Sequence, residues 1–249
     1  FTSLLSLSDS FVPSIQATLD NYRFLFEDDL YWASYVNSVK VAALSTFVCL
    51  LIGYPMAYAI ARSKEGVRGL LLLLVILPFW TSFLLRVYAW MGMLSTHGVI
   101  NNFLITTGLT DQPLKLLYTD FAVYIGIVYT YLPFMILPLF ANLERMDQTL
   151  NEAAADLGSR PLRNFLDITL PMSMPGVIAG SLLVFIPALG EFVIPAMLGG
   201  LDSMMIGRTL YDEFFQNRDW PLASAVASIL LLILIIPIMI FQKYRGEQV

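Results

Sequence analysis

Charge is scarce in this chain. Of 249 residues only 13% are Asp, Glu, Lys or Arg, while 57% are hydrophobic. A soluble domain of this length carries about twice as much charge. There is one cysteine, Cys49, which excludes an internal disulfide and a cysteine metal cluster; inside an apolar run it reads as a small buried hydrophobe. The one histidine, His97, reads as an interfacial residue at the outer end of a span. No GxxxxGK[ST] phosphate loop, no HExxH and no GxSxG occurs, so the chain lacks the motif equipment to hydrolyse ATP, to act as a zinc protease or to act as a serine esterase. The net charge of −5 argues against a nucleic-acid partner. No tandem repeat and no low-complexity linker interrupts the chain, and one membrane domain over residues 36–249 is the simplest organisation.

What the chain has is long apolar runs. Five read as membrane helices, over residues 36–61, 70–94, 121–143, 177–198 and 224–241. Each is long enough to cross a bilayer, where a helix satisfies its own backbone hydrogen bonds. Arg62, Lys64 and Arg68 follow the first run, Arg145, Arg160 and Arg163 the third, and Lys243 and Arg245 the last. The two links between these are acid-rich or balanced: Lys115 against Asp111 and Asp120, then Arg208 and Arg218 against Asp202, Asp212, Glu213 and Asp219. Basic links face the cytoplasm, so the C-terminus is expected inside and residues 1–35, with Asp20, Glu27, Asp28 and Asp29, outside. A chain that begins outside at Phe1 is expected to have a further span upstream. Pro55, Pro78, Pro133, Pro138, Pro187 and Pro195 fall within or near the runs and read either as kinks suited to a moving path or as packing irregularities.

The link after the third run, residues 144–176, has the pattern of two short helices. The first is expected over 147–157, with Asp147 as N-cap and Gly158 just past its end; the second opens near Ser159, with Pro161 in its first turn, and stops before Pro171. Ala153, Ala154 and Ala155 leave a small-sided surface rimmed by Glu152, Arg160 and Arg163. Such an element either docks a partner or simply connects two spans.

The spacing Glu152-Ala153-Ala154, three residues, Gly158, nine residues, Ile168, one residue, Leu170-Pro171 resembles the EAA signature of ATP-binding-cassette importer permeases. The resemblance implies an all-α membrane protein with the type I importer permease fold. It implies that the loop sits in a groove of a separate ATPase, with Glu152, Ala153, Ala154 and Gly158 at the contact; Arg160 and Arg163 join them by charge and position. It further implies a cytoplasmic ATPase dimer that holds the ATP and Mg2+, a second homologous permease chain, an extracytoplasmic substrate-binding protein, and residence in a bacterial inner membrane. No cofactor is expected on this chain. Residues 76–94, 122–139, 185–200 and 217–225 are similar to the polyamine importer permeases, and most to the putrescine subunit. Spermidine or another small organic cation is the alternative cargo.

Charge inside a span has a partner or a task. Lys40, near the outer end of its run, can snorkel to water. Arg86 and Glu191, counted along straight helices, both lie about 21–24 Å from the inner side. They read either as an ion pair fixing two helices or as a gate, in which Glu191 attracts a cationic amine and Arg86 holds or releases it. Trp80, Tyr88 and Trp90, with Tyr124, Tyr129 and Tyr131, could stack on amine cargo or form interfacial belts. Gly176 and Gly180 read as a close-packing pair. An ion-coupled secondary transporter leaves the loop over 144–176 without a task, and an intramembrane enzyme lacks a nucleophile with its base.

Overall fold

The computed structural model describes residues 2–7, 13–17, 19–200 and 203–246. A single turn at Thr2–Leu4 leads into an antiparallel ribbon of β1 (Leu5–Leu7) and β2 (Pro13–Ala17); the other described elements are helices. These are α1 (Asp20–Glu27), α2 (Asp29–Arg62), α3 (Glu65–Ile76), α4 (Phe83–Leu94), α5 (Val99–Thr106), α6 (Asp120–Glu144), α7 (Thr149–Asp156), α8 (Pro161–Asn164), α9 (Leu170–Leu189), α10 (Val193–Leu198), α11 (Ile206–Tyr211) and α12 (Trp220–Gly246). Asp202 lies outside the described residues, as do the side chains of Lys243 and Arg245.

Among the described residues, four helices are long and apolar enough to cross a membrane: Asp29–Arg62, Asp120–Glu144, Pro161–Leu189 and Trp220–Met239. The helices on either side of Thr81 and Ser82 form a bent pair, which is either a broken fifth crossing or a re-entrant loop. All five apolar runs are thus found as helix, and three boundaries need correction. The first span starts at Asp29 rather than residue 36, because Tyr31, Ser34, Tyr35 and Ser38 share one helical face and bury their polar atoms against protein. The second is broken. Pro78 cannot continue the hydrogen-bond ladder, so Leu77–Trp80 tightens into a 3-10 turn, and Thr81 closes it through both its N–H (3.3 Å) and its hydroxyl (2.8 Å) to the Pro78 carbonyl. The fourth ends at Leu189 rather than residue 198, and α10 is a separate short helix.

The helices sort into two compact units. The second unit comprises Ser45–Ser82 and Val128–Phe185. Its core is apolar: Tyr54, Ala57 and Ala61 of α2 meet Met135, Leu139 and Leu143 of α6. Cys49 is fully buried there, as a small hydrophobe, its thiol 3.6 Å from the Val128 carbonyl. The glycine pair does permit close packing. A side chain at Gly176 would lie 2.8 Å from Asn142 Cβ, and one at Gly180 2.8 Å from Met135 Sδ, so α9 presses directly on α6.

The first unit comprises Phe1–Leu44, Phe83–Ile127 and Ile186–Val249. Long-range polar bonds hold it. Tyr31 donates to Glu213 Oε1 (2.7 Å), Tyr35 to the Val226 carbonyl (2.7 Å) and Asn37 Nδ2 to the Met204 carbonyl (2.8 Å). Ser38 Oγ accepts the Ile206 N–H at 2.7 Å and so caps α11 from another helix. Ser203 bonds Asp120, and the Tyr118 N–H reaches the Leu198 carbonyl at 3.0 Å.

Candidate functional site

Within the second unit, the link carrying the EAA-like spacing is ordered by its own hydrogen bonds. Asp147 is not the N-cap expected of it: α7 begins at Thr149 with Gln148 as N-cap, and Asp147 Oδ1, one residue earlier, accepts the Thr149 N–H at 3.0 Å. Gly158 adopts φ +82°, the left-handed conformation that an L side chain resists. Its N–H bonds the Ala155 carbonyl (2.9 Å), and the Ser159 N–H bonds the Ala154 carbonyl (2.9 Å). That pair of bonds is the Schellman closure, which satisfies the last carbonyls of α7 and reverses the chain into α8. Pro161 opens α8, where its missing N–H costs nothing.

The second loop helix does not stop before Pro171, as the sequence pattern suggested. It runs on through a widened π turn at Phe165–Thr169 into α9. The Leu170 N–H reaches back five residues to the Phe165 carbonyl, and this extra residue in the turn accommodates Pro171, which has no N–H to give. The loop is therefore the base of the fourth span, built without a flexible joint.

Glu152, Ala153, Gly158, Arg160 and Arg163 are exposed and Ala154 is half-buried. Arg163 pairs with Asp167 at 3.2 Å on its own helix, a solvent-exposed pair worth little to stability. Beside them stand bare leucines: Leu157 is 89% exposed and Leu162 72%, with Leu150 and Leu166 also exposed. Leucines held on an ordered, charge-rimmed loop make a surface suited to a protein partner.

Sequence reasoning missed the residues that make this loop one body. The Asn151 carbonyl accepts from Asn164 Nδ2 (3.1 Å) and its Oδ1 from Thr169 Oγ1 (3.3 Å), so one side chain and its backbone tie α7 to α8 and to the π turn. Tyr54 OH and Ser173 Oγ, both buried, share a 2.7 Å hydrogen bond, and the Tyr54 ring meets Phe165 edge-on at 5.5 Å. Arg68 holds Glu144 at 2.6 Å. A polar residue directly before Glu-Ala-Ala was a visible signal for Asn151; the Tyr54–Ser173 bond joins residues 119 apart, and nothing local announces it.

The intramembrane candidates fall differently. Trp80 ends the 3-10 turn of the second unit and is 76% exposed. In the first unit, Arg86 is half-buried, Tyr88 exposed and Trp90 half-buried, all on α4. Glu191 is buried and sits in the break after α9, where its Oε1 accepts the N–H groups of Phe192 (3.1 Å), Val193 (3.0 Å) and Ile194 (3.4 Å). A carboxylate there caps α10 and balances its positive end. The count along straight helices assumed unbroken rods, whereas a break precedes each of Arg86 and Glu191. Packing still brings their surroundings together, since α4 lies against α10. His97 is exposed just past α4. Among the described residues, no three His, Cys, Asp or Glu converge as metal ligands.

The family model described as "Binding-protein-dependent transport system inner membrane component" matches residues 41–246. The spermidine/putrescine transport system permease protein PotB of Escherichia coli (strain K12) is 40% identical over 242 residues, covering 97% of this chain and 88% of that protein. PotB of Haemophilus influenzae is 41% identical over 246 residues, covering 99% and 85%. Among solved structures, a chain of a bacterial ABC transporter involved in import of the acidic polysaccharide alginate superposes with a TM-score of 0.70 at 20% identity, over 92% of this chain and 85% of that one. At that identity the likeness is one of fold, and it is the fold expected from the EAA-like spacing.

Proposed function

Because the chain belongs to the family of binding-protein-dependent transport system inner membrane components, we propose that it is the membrane-spanning permease subunit of an ATP-driven polyamine importer. One observation in the structure carries the mechanism. The loop over residues 147–171 is closed by a Schellman turn, stapled by Asn151 and faced with exposed leucines, on a chain with no phosphate loop of its own. It is a docking element for a separate ATPase. Leu157 and Leu162 fill the partner's groove while Glu152, Ala153, Ala154, Gly158, Arg160 and Arg163 frame it. Movement of the ATPase dimer reaches the fourth span directly, because α8, the π turn and α9 form one continuous rod. ATP and Mg2+ belong to that dimer.

The loop faces the cytoplasm of a bacterial cell, with the C-terminus on the same side, a reading that the basic links support. A second, homologous permease chain completes the path, and an extracytoplasmic binding protein delivers the cargo. Permeases for spermidine and putrescine at 40–41% identity over nearly the whole chain support a polyamine as that cargo. Glu191, Arg86, Trp80, Tyr88 and Trp90 are the residues proposed to line its route. Scarce charge in the spans fits brief, weak contacts, with selectivity left to the binding protein. The shared chemistry of putrescine and spermidine is a flexible methylene chain ending in ammonium groups.

The test is uptake of labelled putrescine and spermidine by cells without polyamine importers of their own. The chain is expressed beside its ATPase, partner permease and binding protein, or omitted. Uptake that requires the chain supports the proposal, and the ratio of the two rates assigns the preferred amine. An assembled complex that hydrolyses ATP but imports neither amine refutes the substrate and leaves the permease role standing.

A further inference from the structure

The first unit contains a cavity of about 340 Å3, within the range of small-molecule sites, walled by Gly190, Phe192, Gly207, Tyr211, Phe215 and Ser224 among others. We infer that this cavity is a binding subsite for one ammonium end of the cargo and its adjoining methylenes. The inference rests on the polyamine reading above and adds to it a place and a set of residues.

Three features select an alkylammonium over other ligands. The first is a run of aromatic faces. Phe192 and Tyr211 stack at 5.0 Å and 10°, Tyr211 meets Phe215 at 4.7 Å, Phe215 meets Phe214 at 4.8 Å, and Phe214 meets Trp220 at 6.3 Å. These five residues remain between 39% and 60% exposed, so each keeps ring surface open to a ligand beyond what its neighbours cover. Aromatic faces attract ammonium groups and also pack against methylenes. The second is backbone polarity. The 20-residue helix α9 ends at Leu189, which puts the negative end of its dipole at Gly190 in the cavity wall. The carbonyl oxygens of Gly190 and Glu191 lie 2.4 and 2.7 Å from where a Cβ at Gly207 would be, so backbone packs on backbone there and the wall carries no side chain at that point. The third is what the cavity does not offer. The nearest helix start, that of α10, already has its N–H groups on the Glu191 carboxylate, so no donor set for an anion is left there. The turn Asp212–Gln216, which carries two of the rings, brings two carboxylates close to the same rim, Asp212 facing Arg208 at 4.0 Å and Glu213 buried against Tyr31.

The only native thiol, Cys49, is buried and in the other unit, which leaves the cavity free for a reporter cysteine. Ser224→Cys in the fully assembled importer would be labelled with a neutral maleimide, with and without putrescine. The controls are equal concentrations of 1,4-butanediol, which matches its length without charge, and of sodium chloride at matched ionic strength. Polyamine uptake is measured on the same preparation. Putrescine should slow labelling at least threefold while the diol and the salt leave it unchanged, and Tyr211→Leu with Phe215→Leu should abolish the protection in a complex that still assembles. Protection by the diol equal to that by putrescine would overturn the inference in favour of an apolar cavity. A complex that imports polyamine with no protection at all would overturn it while leaving the importer standing. Absence of polyamine uptake by the assembled complex would refute the substrate reading, and the subsite with it.

Discussion

The two units of this chain tie their helices together differently. The second unit packs a continuous apolar seam between α2 and α6, with α9 pressed on α6 through Gly176 and Gly180, and adds short-range polar ties around the loop with the EAA-like spacing. The first unit buries apolar residues too, Leu94, Ile194, Leu198 and Ile206 among them, and adds polar side chains that reach across more than 160 residues to backbone or carboxylate, as Tyr31, Tyr35, Asn37 and Ser38 do. The difference follows from the elements each must hold. Long helices bring large complementary faces and need few specific bonds. The short helices α10 and α11, six residues each, have a large share of their backbone groups unsatisfied at the ends, so they need caps from elsewhere.

Substitutions can break or sharpen this contrast. The largest effect is expected at Gly158. Gly158→Asp forces a side chain into φ +82°, undoes the turn between α7 and α8 and should reduce uptake more than tenfold in an assembled complex. Uptake at wild-type rate would show that the loop geometry is not used. Next is Gly180→Leu. With Met135 Sδ already 2.8 Å from the Cβ position, overpacking should cost about 1–3 kcal/mol and lower the amount of assembled complex severalfold on native gels. Asn151→Ala removes the Thr169 tie and leaves assembly intact; the loss of about 1 kcal/mol of local order should appear as ATP hydrolysis poorly coupled to uptake, read as a falling ratio of amine moved to ATP consumed.

Glu191→Gln tests the first unit. The amide keeps an oxygen for the three N–H groups of α10 and removes the charge. Uptake reduced severalfold at unchanged expression assigns the charge to cargo; unchanged uptake confines Glu191 to capping. Smallest is Tyr31→Phe. Glu213 retains Asn217 at 2.9 Å, so the loss is about 1 kcal/mol, visible as a small drop in melting temperature with uptake within twofold of wild type.

Much of the chain could be read without coordinates. The helical identity of each apolar run, the position of Gly158 and the close approach at Gly176 and Gly180 are encoded in neighbouring residues, through hydropathy, turn chemistry and side-chain size. What stayed hidden shares a cause. The apolar run that continues to Leu198 hides the end of α9 at Leu189, and with it the bonds by which the Glu191 carboxylate caps α10. The ties of Asn151 are hidden likewise, because Asn164 and Thr169 find it only after the loop has folded back.

By itself, then, the sequence determined the solvent this protein lives in, the helical identity of its apolar runs and the existence of an ordered loop that turns at Gly158. These depend on sums over consecutive residues, and a bilayer enforces them strongly. The tertiary structure decided where helices break, which polar groups satisfy the broken ends, and how a row of aromatic residues encloses a cavity. Those outcomes depend on partners distant in the chain, whose meeting is set by packing and not by any local pattern.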